Sequence, residues 1–77
     1  MENKKFVVGQ MESKTGKFVR FYGENLDASD NPNGVKGLSH LVAWNTMNDF
    51  AKCSPSINNV YLFTYWLIDQ DTGEAVL

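Results

Sequence analysis

Apolar residues gather in three stretches of this chain, and each has its own period. The longest, Val60–Ile68, reads Val-Tyr-Leu-Phe-Thr-Tyr-Trp-Leu-Ile, with Thr64 its one clearly polar member. Its β-branched and aromatic content predicts an extended segment, apolar on both faces, which makes it the expected central strand. Residues 5–12 alternate, with Phe6, Val8 and Gln10 on one side and Val7, Gly9 and Met11 on the other. Ser13-Lys14-Thr15-Gly16 supplies a turn, and residues 17–22 return as a second strand. Pairing Glu12 with Lys17 across that turn places Phe6, Val8, Val19 and Phe21 on a common face, the expected core.

The third stretch has a helical period. Ser39 is suited to cap a helix over residues 39–53, in which Ala43, Trp44, Met47, Phe50 and Ala51 form an apolar stripe with Leu41 at its margin. Ser54-Pro55 ends it, and Lys52 in the last turn suits the negative end of the helix dipole. Beyond the long strand, Asp69-Gln70-Asp71-Thr72-Gly73-Glu74-Ala75-Val76 echoes Glu12-Ser13-Lys14-Thr15-Gly16-Lys17-Phe18-Val19. The same turn chemistry implies a second hairpin with a last strand at 74–77.

The expected organisation is therefore one domain over residues 1–77, with strands at about 5–12, 17–22, 60–69 and 74–77 and a polar loop over 23–38. That is an α+β fold, a two-layer ββαββ arrangement whose four-stranded antiparallel sheet has order 2-1-3-4 and one helix packed on one face. Such a sheet has an unfinished side. The tyrosine-bearing set Tyr61, Phe63, Tyr65 and Leu67 is expected on it, because tyrosine can present its ring to a partner and keep its hydroxyl wet. Phe18, Tyr22, Met11, Val7 and Val76 would extend that patch and Arg20 would border it.

Charge refines this picture without changing it. Up to Tyr22 the chain carries Lys4, Lys5, Lys14, Lys17 and Arg20 against Glu2 and Glu12, whereas from Gly23 only Lys36 and Lys52 oppose seven acids, and the formal net charge is −2. A basic hairpin this small falls short of a phosphate-binding footprint, so direct nucleic-acid binding is not expected. The chain has one cysteine, Cys53, which excludes an intramolecular disulfide. With no signal-like or membrane-length apolar run, the expectation is a soluble cytoplasmic protein.

Candidate chemistry is sparse. His40 is the single histidine and has no nucleophile or carboxylate at a diagnostic spacing, so no catalytic residue is assigned and no enzyme is expected. Asp27, Ser29, Asp30, Asn31 and Asn33 offer hard oxygen ligands, but the glycine and the terminal glutamate of a calcium loop are missing. Asp69, Asp71 and Glu74 serve equally well as turn residues and edge charges, and no metal or cofactor is expected. The run Lys17-Phe18-Val19-Arg20-Phe21-Tyr22 resembles one strand of the RRM family of RNA-binding sheets, whose glycine pattern and βαββαβ order are absent here. No family is assigned.

These readings converge on a non-catalytic protein-binding module. The partner-binding residues expected are Tyr61, Phe63, Tyr65, Leu67, Phe18, Arg20 and Tyr22, with Asp27, Asp30, Asp69 and Asp71 steering toward a basic partner. By analogy of size, the expected role is that of a phage or mobile-element inhibitor occupying the surface of a larger, basic, nucleic-acid-handling complex. The alternatives are a homodimeric accessory protein associating through its open sheet face, and a weak single-stranded nucleic-acid binder using the first hairpin.

Overall fold

A computed structural model describes residues 4–54, 56–58 and 60–76, including the backbone but not the side chain of Ile57. One helix and a four-stranded antiparallel sheet make an α+β fold. The strands are β1 (Phe6–Glu12), β2 (Phe18–Tyr22), β3 (Ala28–Ser29) and β6 (Phe63–Asp69), in the order β3-β2-β1-β6, with the helix α1 (His40–Cys53) on one face. A separate small hairpin pairs β4 (Ser56–Ile57) with β5 (Val60–Tyr61). The central run β2-β1-β6 matches the expected 2-1-3 arrangement. Residues 74–76 return beside β6 as expected, held by the Ile68–Ala75 bridge and by Val76 donating its amide hydrogen to the Leu67 carbonyl at 2.7 Å. Leu77, the last residue of that expected strand, and Pro55 lie outside the described residues.

Both Thr-Gly turns are built alike. Gly16 donates to the Glu12 carbonyl and Gly73 to the Asp69 carbonyl, at 2.8 and 2.7 Å, and Glu12 and Asp69 donate back to Lys17 and Glu74, each at 2.9 Å. Gly16 and Gly73 take φ of 71° and 73°, the left-handed geometry that glycine adopts without a Cβ penalty. Thr15 and Thr72 accept the amides of Lys17 and Glu74 through their hydroxyls.

The register then departs from expectation. Met11 opposes Phe18, as a Glu12–Lys17 pairing requires, but Gln10 opposes Arg20, leaving Val19 as an extra residue in a β-bulge. An inserted residue inverts the alternation beyond it. Tyr22 rather than Phe21 therefore faces the side of Phe6 and Val8, and Phe21 moves to the opposite face with Gly9. The long strand is also not central. It breaks at Leu62, with Val60–Tyr61 paired to Ser56–Ile57, and β6 lies at the edge of the sheet. Asn58, at φ 54°, turns that small hairpin. The strand buried on both faces is β1, whose Phe6, Val7, Val8, Gly9 and Gln10 are all buried.

Ser39 caps α1 by accepting the Val42 amide at 3.3 Å. The helix sets Ala43 against Phe6, Leu38 and Leu67, with Met47 and Val76 packed around that cluster. Toward its C-terminus Phe50 lies over Tyr22 and Tyr65, at ring-centroid distances of 4.9 and 5.3 Å. Trp44, placed by periodicity in the core stripe, sits on its margin and is 45% exposed.

Loop 23–38 is part of the fold. Gln70 donates its side-chain amide to the carbonyls of Pro32 and Val35, each at 2.9 Å, and Phe6 and Leu38 exchange backbone hydrogen bonds. Gly37 runs so close to the sheet that a Cβ there would come within 2.5 Å of the Lys5 Cβ. Lys5 and Gln70 continue the alternation of Val7 and Ile68 on the face opposite α1, so this segment covers that end of the sheet, and Val7 and Ile68 are buried beneath it. Asn31 donates its amide to the Ser29 hydroxyl and Asn33 to the Asn31 side chain, so these polar residues shape the loop itself.

Candidate interaction surface

Two cross-strand sets divide the sheet. On the helix side, Val8 aligns with Leu67 and Tyr22, and Gln10 with Tyr65 and Arg20. On the other, Gly9 aligns with Trp66 and Phe21, and Met11 with Thr64 and Phe18.

This placement corrects the expected partner surface. Leu67 is 2% exposed in the core, and Tyr65, Tyr22 and Phe63 belong to the helix side. The cause is Gln10, itself buried. Its Nε2 donates to the Tyr65 hydroxyl at 2.9 Å, and the Tyr22 hydroxyl donates to its Oε1 at 3.4 Å. A buried amide needs partners, and the two tyrosines supply them under the Phe50 ring. Their hydroxyls are thus hydrogen-bonded within the protein. Arg20 is exposed on the same side as Gln10, so it does not border the open face. Val7 is buried under the loop and Val76 packs on the helix-side core.

Asp69 is also drawn inward. Its Oδ2 accepts from Lys4 Nζ at 2.9 Å, and its Oδ1 accepts the amides of Asp71 and Thr72 at 2.9 and 3.4 Å, so the carboxylate builds the last turn. The Lys4 ammonium, aided by those two amides, holds the Asp69 carboxyl below the ordinary value of 3.8 against the opposing cost of burial. A depressed carboxyl stabilises the fold above its unfolded value and loses that contribution as pH falls through the folded one. Urea midpoints taken between neutral pH and pH 2 should fall for wild type below about pH 4, and Asp69→Asn should remove that part of the slope. Equal slopes would show that the carboxylate is not coupled to folding.

What the loop and α1 leave uncovered is the half of the open face that holds Met11, Phe18, Phe21, Thr64 and Trp66. Phe18 and Trp66 are 39% and 40% exposed, and the rings of Phe18 and Phe21 lie 4.6 Å apart. None of these five side chains is charged. Phe18 and Met11 were expected on this surface; Trp66 and Phe21 were not. Beyond the Leu62 bend, Val60, Tyr61 and Leu62 add a second exposed apolar group, in which Tyr61 is one of the expected residues. Asp27 and Asp30 flank β3 and are exposed, as is Asp71 in the last turn.

The residues with catalytic potential have structural surroundings. His40 meets the Phe6 ring edge-on at 5.1 Å and stacks on Trp44 at 6.5 Å. Cys53 is exposed at the end of α1. Among the described residues no cluster of three His, Cys, Asp or Glu side chains could hold a metal ion, and no helix is long and apolar enough to cross a membrane. No protein-family model, curated protein or solved structure gives a significant match to the chain.

Proposed function

We propose that this chain is a non-catalytic protein-binding domain that docks a larger, basic protein on the open half of its sheet. The observation that carries this reading is the uncharged apolar surface of Phe18, Phe21, Trp66 and Met11, which neither α1 nor the 23–38 loop covers. Exposed aromatics grouped on a rigid sheet bury much area for little side-chain entropy, which is the make-up of an interface centre. Exposed Asp27, Asp30 and Asp71, together with the net charge of −2, favour a basic partner, and occupation of that partner's working surface would make the domain an inhibitor. A nucleic-acid face would instead need cations among the rings to meet phosphates.

Immobilised wild type, Phe18→Glu and Leu41→Glu should be compared for retention of proteins from a bacterial lysate at low and moderate salt. Leu41 is a suitable control because it is 67% exposed on α1, away from this face. The expected result is a basic protein held by wild type and Leu41→Glu and released by Phe18→Glu. Identical retention by all three, or salt-sensitive retention of nucleic acid alone, would remove the reading.

A further inference from the structure

Gln70 grips the 23–38 loop by two carbonyls, those of Pro32 and Val35, and between them lies the chain's one Asn-Gly pair, Asn33-Gly34. Asn31-Pro32-Asn33-Gly34 has the make-up of a type I turn, with asparagine first, proline second and glycine fourth, and Gly34 donates its amide hydrogen to the Asn31 carbonyl at 2.9 Å. Asn33 does not take the positive φ that a type II turn needs at its place. Its backbone amide donates to the Asn31 side chain at 2.9 Å, while its own carboxamide, on an exposed residue, has no hydrogen-bond partner among the described residues. Glycine is required at 34, because a Cβ there would come within 2.8 Å of the Ser29 Cβ and closer still to its hydroxyl. The fold therefore imposes this pair at the point where the loop is clamped.

The pair carries its own reaction. A glycine nitrogen is the least hindered backbone nucleophile for the side-chain amide before it, since no Cβ crowds the approach. The Gly34 nitrogen, having given its proton to hydroxide, bonds to Cγ of Asn33; the bond from Cγ to the amide nitrogen breaks, and ammonia leaves with a proton taken from water. A five-membered imide remains, which water then opens. Cleavage of the imide bond at Cγ gives aspartate, whereas cleavage at the Asn33 main-chain carbonyl carbon gives isoaspartate, in which the chain runs through Cβ and Cγ and is one carbon longer. The folded turn opposes the first step. Ring closure swings the Asn33 Cβ into the plane of the Gly34 amide, where type I geometry does not place it, and takes the Gly34 nitrogen away from Asn31.

From this arrangement we infer that Asn33 is a self-modification site, gated by opening of the 31–34 turn, whose conversion to isoaspartate releases the 23–38 loop from the sheet. The gate is local unfolding: the reacting nitrogen is freed only while the turn is open, so the folded chain converts slowly. The release follows from length. An extra backbone carbon between Pro32 and Val35 parts the two carbonyls that the Gln70 amide now holds at 2.9 Å each, and the contact of Gly34 with Ser29 leaves it no room. Val7 and Ile68, 0% and 3% exposed under this segment, would then be uncovered beside Phe21 and Trp66. The loop would also gain a negative charge next to Asp27 and Asp30. Loss of ammonia makes the change one-way in water. It rests on the loop alone and not on any partner docked around Phe18.

Wild type, Asn33→Gln and Gln70→Ala, each folded and in concentrated urea, should be incubated in mildly alkaline buffer and followed by peptide mass mapping and by isoaspartate methyltransferase labelling. Far-UV circular dichroism will verify the folded samples, and Pro32→Ala, which loosens the same turn, replaces Gln70→Ala if that variant does not fold. Folded wild type should convert at Asn33 about tenfold or more slowly than the unfolded chain, with folded Gln70→Ala between the two. Asn33→Gln should stay unconverted, because its ring closes much more slowly. The converted protein, separated by its added charge, should exchange the amide hydrogens of Glu24 and Leu38, which bond the Lys36 and Phe6 carbonyls at 2.8 Å each, about tenfold faster than before. Asn33→Asp adds the charge without lengthening the chain and should exchange them as wild type does. A folded wild type that stays unconverted over about a hundred half-times of the unfolded chain, or converts as fast as that chain, would overturn the inference. So would a Gln70→Ala rate equal to that of wild type, or a converted protein whose Glu24 and Leu38 amides exchange as before.

Discussion

Replacing Leu67 by alanine is expected to cost about 3 kcal/mol, within the range for a large-to-small change in a packed core. Leu67 is 2% exposed and shares the cluster of Phe6, Leu38 and Ala43, with Met47 and Val76 around it. A single core in a chain of this length supplies on the order of 3–5 kcal/mol in total, so the variant should keep no more than about 2 kcal/mol and, at the lower end, be about half unfolded at 25 °C. Urea titrations followed by tryptophan fluorescence will measure this. A Leu67→Ala domain that keeps its fold to within about 1 kcal/mol of wild type would return Leu67 to the surface, where its place in the apolar run had suggested an interface residue.

That reversal shows which features of the fold were legible. The two turns were readable because Thr-Gly with a preceding acid specifies local hydrogen bonds, and both formed as Glu12–Gly16 and Asp69–Gly73. The helix was readable from Ser39 to Lys52 because its cap and its apolar period agree. The identity of the sheet faces was not. The bulge at Val19 inverts every residue of β2 beyond it, and nothing in Phe18-Val19-Arg20-Phe21-Tyr22 marks where an extra residue enters. One signal did exist in the first strand. Gln10 shares a side with Phe6 and Val8, and a glutamine on the core face demands polar partners that only Tyr22 and Tyr65 offer there. Following that demand would have sent the tyrosines inward and left Trp66 and Phe21 outside.

The break at Leu62 was hidden for a different reason. Continuous hydrophobicity identifies a strand-forming run but not where it leaves a sheet, and Val60-Tyr61-Leu62 keeps its apolar character while exposed. The consequence for the binding surfaces is direct. An unbroken central strand would have left one large face open, whereas the folded chain divides its exposed apolar area between the Phe18–Trp66 face and the Val60–Leu62 segment beyond the bend. The 23–38 loop, expected only as a polar connection, covers one end of the open face through Gln70, which ties Pro32 and Val35 to the end of β6.

Phe50 and Trp44 lie less than two helical turns apart and should respond unequally to truncation. Phe50 is held between Tyr22 and Tyr65, whose hydroxyls bind Gln10, so Phe50→Ala removes two ring contacts and opens a buried polar network to water. The expected loss is about 3 kcal/mol, at the low end for phenylalanine because the side chain is only half-buried. Trp44 is 45% exposed and rests on His40, so Trp44→Ala should cost about 1 kcal/mol or less, despite removing the larger side chain. Urea titrations of the two variants and wild type measure the difference. Equal losses would mean that the helix is rotated toward Trp44.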